Sequence, residues 1–100
     1  MYATFKDTAL TYAFNKAQKY VAKLGAYGHQ DWRVPTKGEL NVLFQNRAAI
    51  GGFNETGSFT TGWYWSSTPK SNSLAWVQRF SDGTQGNFYA DSISSLRCVR

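Results

Sequence analysis

Lys16, Lys19 and Lys23 are the first residues whose type and spacing point to chemistry. At 3.6 residues per turn of helix they fall within about 60° of arc, so three ammonium groups share one stripe. Such a stripe is either the solvated back of a helix or a set of charge-assisted donors for an anionic partner. Lys70, Arg79 and Arg100 are further donors of this kind, and Trp63 and Tyr64 could offer ring faces to a ligand. Other chemistries are poorly supplied. Cys98 is the only cysteine, which excludes an internal disulfide and any site built from cysteine pairs. With no histidine beside it, it is expected to be a small buried hydrophobe rather than a nucleophile. His29, the one histidine, cannot build a His-rich metal cluster. It could be drawn into a triad with Asp31 and a serine, but no Gly-x-Ser-x-Gly elbow accompanies them. Asp82 and Asp91 fit a turn and a loop better than a catalytic carboxylate pair. No catalytic residue, metal ligand or cofactor is expected, and the chain is not read as an enzyme.

The elements that would position these groups must come from 100 residues and 11.3 kDa, which is one domain spanning residues 1–100. Two independent cores would each be too small to offset chain entropy. A 42% hydrophobic share, with 17% aromatic and 17% charged residues, supplies a dense core for so short a chain. No apolar run approaches the roughly 20 residues that span a bilayer, and no charged start followed by an apolar run marks a secretory signal. A chain whose natural start is Met1 is thus expected in the cytoplasm, without membrane insertion. Eleven Lys and Arg against six Asp and Glu give a net charge of +5, which admits a polyanion as partner.

Between Thr8 and Leu24 the apolar residues Leu10, Ala13, Phe14, Ala17, Tyr20, Val21 and Leu24 recur at steps of three and four, predicting a helix capped by Asp7, Thr8 or Thr11 and stopped at Gly25. Thr36 followed three residues later by Glu39 is a capping box, and Leu40, Leu43 and Phe44 give the second helix its buried stripe. Asn46 to Gly52 should end it, and Gly51 to Gly62, with four glycines, should form a long loop. Strands are predicted at Trp63 to Ser67, Leu74 to Phe80, Gly86 to Ala90 and Leu96 to Val99, the middle two joined by a Ser81-Asp82-Gly83 turn. A meander is the economical topology, and Tyr2 to Phe5 could pair with the last strand and bring the termini together. Alternation sends Trp65 into the core and turns Tyr64 and Ser66 to the other face. The class is α+β.

Three runs give the sequence a likeness. Asp31-Trp32-Arg33-Val34-Pro35-Thr36 with Glu39-Leu40 and Leu43, then Tyr64-Trp65-Ser66-Ser67-Thr68, then Leu96-Arg97-Cys98-Val99-Arg100 occur in this order. Over nearly its whole length the chain resembles the bacterial domain at the C-terminus of the Legionella collagen-like adhesin. That resemblance implies a compact C-type lectin-like fold, with helices on one side of a small twisted, mainly antiparallel sheet and long loops carrying ligand contacts. Relatives begin with a further N-terminal stretch, so the resemblance also implies an excised or minimal version, at the cell surface or secreted if excised from an adhesin. A collagen-like stalk would impose a trimer. The sugar-binding signatures of the calcium-dependent animal lectins, Glu-Pro-Asn or Gln-Pro-Asp, are absent.

Within those motifs Asp31, Trp32, Arg33, Glu39, Trp65 and Arg97 have structural explanations. Arg33 is expected to stack on Trp32 and bond Asp31 or Glu39, and Arg97 to cover apolar surface or pair with an acid. Two functions follow from the charge taken together with the resemblance, which is to an adhesin domain associated with sulfated glycans. The first is a non-catalytic module for acidic, sulfated glycans or another surface polyanion, using Lys16, Lys19, Lys23, Trp63, Tyr64, Lys70, Arg79 and Arg100. The alternative is a protein-interaction module, such as a phage- or mobile-element-borne inhibitor or receptor-binding domain, docking through the loops at 51–62, 70–73 and 85–92. Nucleic acid ranks third, because no recognised nucleic-acid motif accompanies the basic residues.

Overall fold

The computed structural model describes residues 1–4, 6–8 and 10–100. Its middle layer is an antiparallel meander of β1 (Trp63–Pro69), β2 (Leu74–Arg79) and β3 (Gln85–Tyr89), in that spatial order. Three of the expected strands are therefore present within two residues of their predicted limits. The α+β class holds.

Both faces of this sheet are covered. Trp65, Ala75 and Val77 pack with Ala17 and Val21 of α1 (Phe14–Ala22), together with Trp32, Leu96 and Cys98. Tyr64 and Phe80 pack with Leu40 and Leu43 of α2 (Lys37–Gln45), together with Val99. Because neighbouring side chains on a strand point to opposite faces, Trp65 and Tyr64 belong to different cores. The two helices thus lie on opposite sides of the sheet, not on one side as the resemblance implied. Tyr64 and Ser66, turned away from the Trp65 core, consequently meet a second core instead of solvent, and both are fully buried.

The capping box at α2 forms as predicted: Thr36 Oγ1 accepts from the Glu39 N–H at 3.2 Å, and Glu39 Oε1 accepts from the Thr36 N–H at 2.9 Å. Asn46 caps the end, but the chain then makes a short α3 (Arg47–Ile50) where a loop was expected. The first helix begins later than its periodicity predicts, after Ala13, with no side-chain cap. The cause lies upstream. Thr4, Thr8 and Tyr12 donate their N–H groups to Cys98, Leu96 and Ser94, so these three residues lie along the C-terminal segment and their donors are already used. Leu10, assigned to the buried stripe, is 65% exposed.

That C-terminal segment is a hub of single bridges, not a regular fourth strand. Val99 bridges both Ala3 and Arg33, while Ser95 exchanges bonds with Trp63 and Trp65 along the outer edge of β1. Tyr2 and Arg100 exchange backbone bonds at 2.8 and 2.9 Å, which joins the termini as expected. Phe5, the far end of the predicted N-terminal strand, lies outside the described residues.

Candidate functional site

Charge pairing separates structural cations from available ones. The five arginines are all in ion pairs: Arg33 with Glu39, Arg47 with Glu55, Arg79 with Asp82, Arg97 with Asp7 and Arg100 with Asp31. These take up every acidic residue except Asp91. Among the described residues no lysine is in an ion pair, so the +5 charge is carried by the six lysines. Arg79 and Arg100 were expected to bind a ligand. Each instead holds a carboxylate with two hydrogen bonds, Arg79 to Asp82 at 3.1 and 2.6 Å and Arg100 to Asp31 at 2.8 and 3.3 Å. A guanidinium engaged in this way has fewer donors left for an incoming anion.

The motif residues build the frame. Arg33 chelates Glu39 at 2.5 and 2.7 Å, and this bonding pulls the Glu39 carboxyl from the ordinary 4.5 to about 2. The cation found over Trp32 is Arg100, 6.0 Å from the ring centroid, in place of Arg33. Trp32 is buried and donates its indole N–H to the Ala26 carbonyl at 2.9 Å. Trp65 is fully buried, with its indole N–H on the Tyr12 carbonyl at 2.6 Å. Arg97 has no solvent exposure. It meets Asp7 at 2.9 Å and bonds the Thr4 and Gly51 carbonyls at 3.0 and 3.1 Å, with Phe53 stacked at 3.8 Å. Asp7 also accepts the Tyr64 hydroxyl, and burial lifts its carboxyl above the usual range despite these partners.

This network removes Tyr64 from the expected ligand surface, since a ring with no exposure cannot stack on a sugar. Trp63 is half-buried, with the Phe88 ring 5.2 Å away and the Arg79 guanidinium at the same distance. Cys98 is buried, and desolvation pushes its thiol up to about 11, against nucleophilic chemistry. His29 sits edge-on to Trp32 at 6.4 Å, in the bridge between Ala26 and His29. Among the described residues no group of three or more His, Cys, Asp or Glu side chains is arranged to hold a metal.

Five of the six lysines fall into two groups on opposite sides of the sheet, and the sixth, Lys6, is exposed in the N-terminal segment. Lys16, Lys19 and Lys23 are exposed along and just beyond α1, beside Tyr20, which stacks on Tyr12 at 4.8 Å. On the α2 side, three elements converge. Lys37 at the start of α2 places its Nζ 3.7 Å from the Trp76 ring centroid, and Lys70 from the β1–β2 turn places its own at 5.3 Å. Trp76 itself, on β2, is half-buried. Lys37 is oriented by its N–H bond to Thr68 Oγ1 at 2.9 Å. Lys37 and Trp76 were missed in the sequence, although the strand predicted at Leu74 to Phe80 contains Trp76 and the capping box placed Lys37 at the first turn. What neither pattern carries is that the hairpin turn and the helix start meet over one indole.

Fold and surface together define a small α+β domain with internally neutralised arginines and an exterior of unpaired lysines around aromatic rings. The chain belongs to the Lcl C-terminal domain family, that of the Legionella collagen-like protein, which it matches over residues 3–100. It is accordingly an adhesin-type module, from a family not known for catalysis. A search of curated proteins finds no match. No helix among the described residues is long and apolar enough to cross a membrane.

Proposed function

We propose that this module binds acidic, sulfated glycans, and that Lys37, Trp76 and Lys70 form its central contact. The observation that carries this reading is two ammonium groups without ion pairs held at one partly exposed indole. An ammonium pair supplies charge-assisted donors for a sulfate or carboxylate, and the indole supplies a flat apolar face for a sugar ring. The α1 stripe of Lys16, Lys19 and Lys23 lies across the sheet and adds long-range attraction, not a shared contact. The lectin-like character implied by the resemblance belongs to this same proposal.

Heparin chromatography under a salt gradient tests it. Lys37→Ala with Lys70→Ala should lower the eluting salt more than Lys16→Ala with Lys19→Ala, although both remove two charges. Trp76→Ala, which alters no charge, should also elute earlier. Equal shifts for the two lysine pairs, with no effect at Trp76, would reduce the interaction to net charge and overturn the assignment.

A further inference from the structure

Lys37, Trp76 and Lys70 occupy one end of a larger surface. Residues directly opposite in an antiparallel register share a face, so Trp76 stands beside Asn87 of β3 and Gln78 beside Gln85. Tyr64, opposite Gln78 on β1, puts all of them on the side that meets α2. That helix packs over β1 and β2: Leu40 and Leu43 meet Tyr64, Lys37 reaches Trp76 and Asn41 reaches Gln78. On β3, Gln85 is exposed and Asn87 half-buried. The result is a shelf with the sheet for its floor and α2 for its wall.

Beyond Trp76 this shelf is built from amides. Lys37 and Asn41 are one turn apart on α2, about 6 Å of rise, and Trp76 and Gln78 are two residues apart on β2, about 7 Å. Both steps run the same way and lead to a position one sugar further along. There Gln78 is 1% exposed, and its Nε2 donates to Asn41 Oδ1 and to the Gly83 carbonyl, both at 3.0 Å. The first of these bonds fixes the Asn41 amide, with its oxygen toward Gln78 and its NH2 left over. Among the described residues nothing accepts from Asn41 Nδ2, Asn87 makes no side-chain hydrogen bond, and the buried Gln78 Oε1 has no partner.

Half-buried amides with unused hydrogen-bonding capacity, beside a ring available for stacking, suit a polar ligand. Charge decides which kind. The ammonium groups converge on Trp76, whereas Asn41, Gln78 and Asn87 are neutral. A sulfate at the second position would give up its hydration for neutral donors alone. A hydroxyl or acetamido group both donates and accepts, as these amides do.

We infer that Asn41 and Asn87 form a second subsite, which takes an uncharged sugar through its hydroxyl or acetamido groups. The inference rests on the glycan reading of Lys37, Trp76 and Lys70 and specifies what must lie next to the sulfated residue. The second subsite adds affinity for chains in which sulfated and uncharged sugars alternate, and none for chains sulfated on every residue.

Isothermal titration at one ionic strength tests it with two probes. One is a keratan sulfate hexasaccharide, in which sulfated N-acetylglucosamine alternates with unsulfated galactose, and the other is fully sulfated maltohexaose. Comparing each variant with wild type on the same probe removes the difference in probe charge. Asn41→Ala and Asn87→Ala should each weaken the alternating probe about three- to tenfold, the effect of one hydrogen bond, and leave the fully sulfated probe unchanged. Asn87→Ala breaks no side-chain hydrogen bond and serves if Asn41→Ala fails to fold. Asn87→Lys should strengthen the fully sulfated probe more than Asn15→Lys does, an equal charge placed at an exposed position on α1 across the sheet. A wild type that does not bind the alternating probe, equal losses on both probes, or no loss on the alternating one would overturn the second subsite. If Lys37→Ala with Lys70→Ala weakens neither probe, the glycan reading falls and the subsite with it. If those lysines matter and the asparagines do not, the subsite alone falls.

Discussion

Arginine and lysine have divided labour in this chain, and the chemistry of the two side chains explains why. A planar guanidinium matches a carboxylate with two parallel hydrogen bonds and is weakly hydrated, so it suits pairs that fix the fold. Ammonium groups are compact and strongly hydrated, and six of them are left at the surface. Arg33 and Glu39 give this division a measurable consequence. The Glu39 carboxyl titrates near 4.5 in an unfolded chain and near 2 when folded, because the guanidinium favours its charged form. Its contribution to stability is complete above about pH 4.5 and is lost as pH falls toward 2. Thermal melts of wild type and Glu39→Gln should therefore differ most above pH 4.5 and converge near pH 2. A constant gap across that window would show that the ionised pair is not the source. Arg97 represents the costlier version, a fully buried cation that persists because Asp7, two carbonyls and a phenyl face surround it.

Elements show where sequence periodicity is a sufficient guide. The second helix was legible to the residue because Thr36 and Glu39 satisfy each other's orphan donors locally. The first was not, because Leu10 fits a helical stripe while its neighbours Thr8 and Tyr12 spend their N–H groups on Leu96 and Ser94, more than 80 positions away in sequence. Tyr64 failed for a related reason: alternation correctly separated it from Trp65 but could not say that α2 covers its face. Likewise the lysine stripe was readable within one helix, whereas the Trp76 cluster required three elements to be placed together. The hairpin turn was legible, and Gly83 shows how tightly it is constrained. Its φ is +81°, and an added Cβ would come within 2.5 Å of the Phe44 ring on α2. Gly83→Ala should cost about 1–3 kcal/mol from the backbone strain alone. Urea denaturation checks this, and a loss below about 0.5 kcal/mol would mean that the turn relaxes easily.

The whole molecule measures 33 × 28 × 22 Å and draws its two ends into one place. Tyr2 and Arg100 hold each other through a reciprocal pair of backbone bonds, and Ala3, Val99 and Arg33 extend the same seam. Linear order is therefore dispensable to this architecture. If Arg100 were joined to Met1 by a short glycine-serine tether and the chain reopened at the exposed Asn72, every strand pairing would be retained. Such a circular permutant should fold with an unchanged far-UV dichroism spectrum and a melting temperature lowered only modestly. Collapse of the fold would mean that the β1–β2 turn, and not the terminal seam, organises the domain. A protein built this way can be spliced into the loop of a host as readily as fused to its end, presenting the Trp76 face from either attachment.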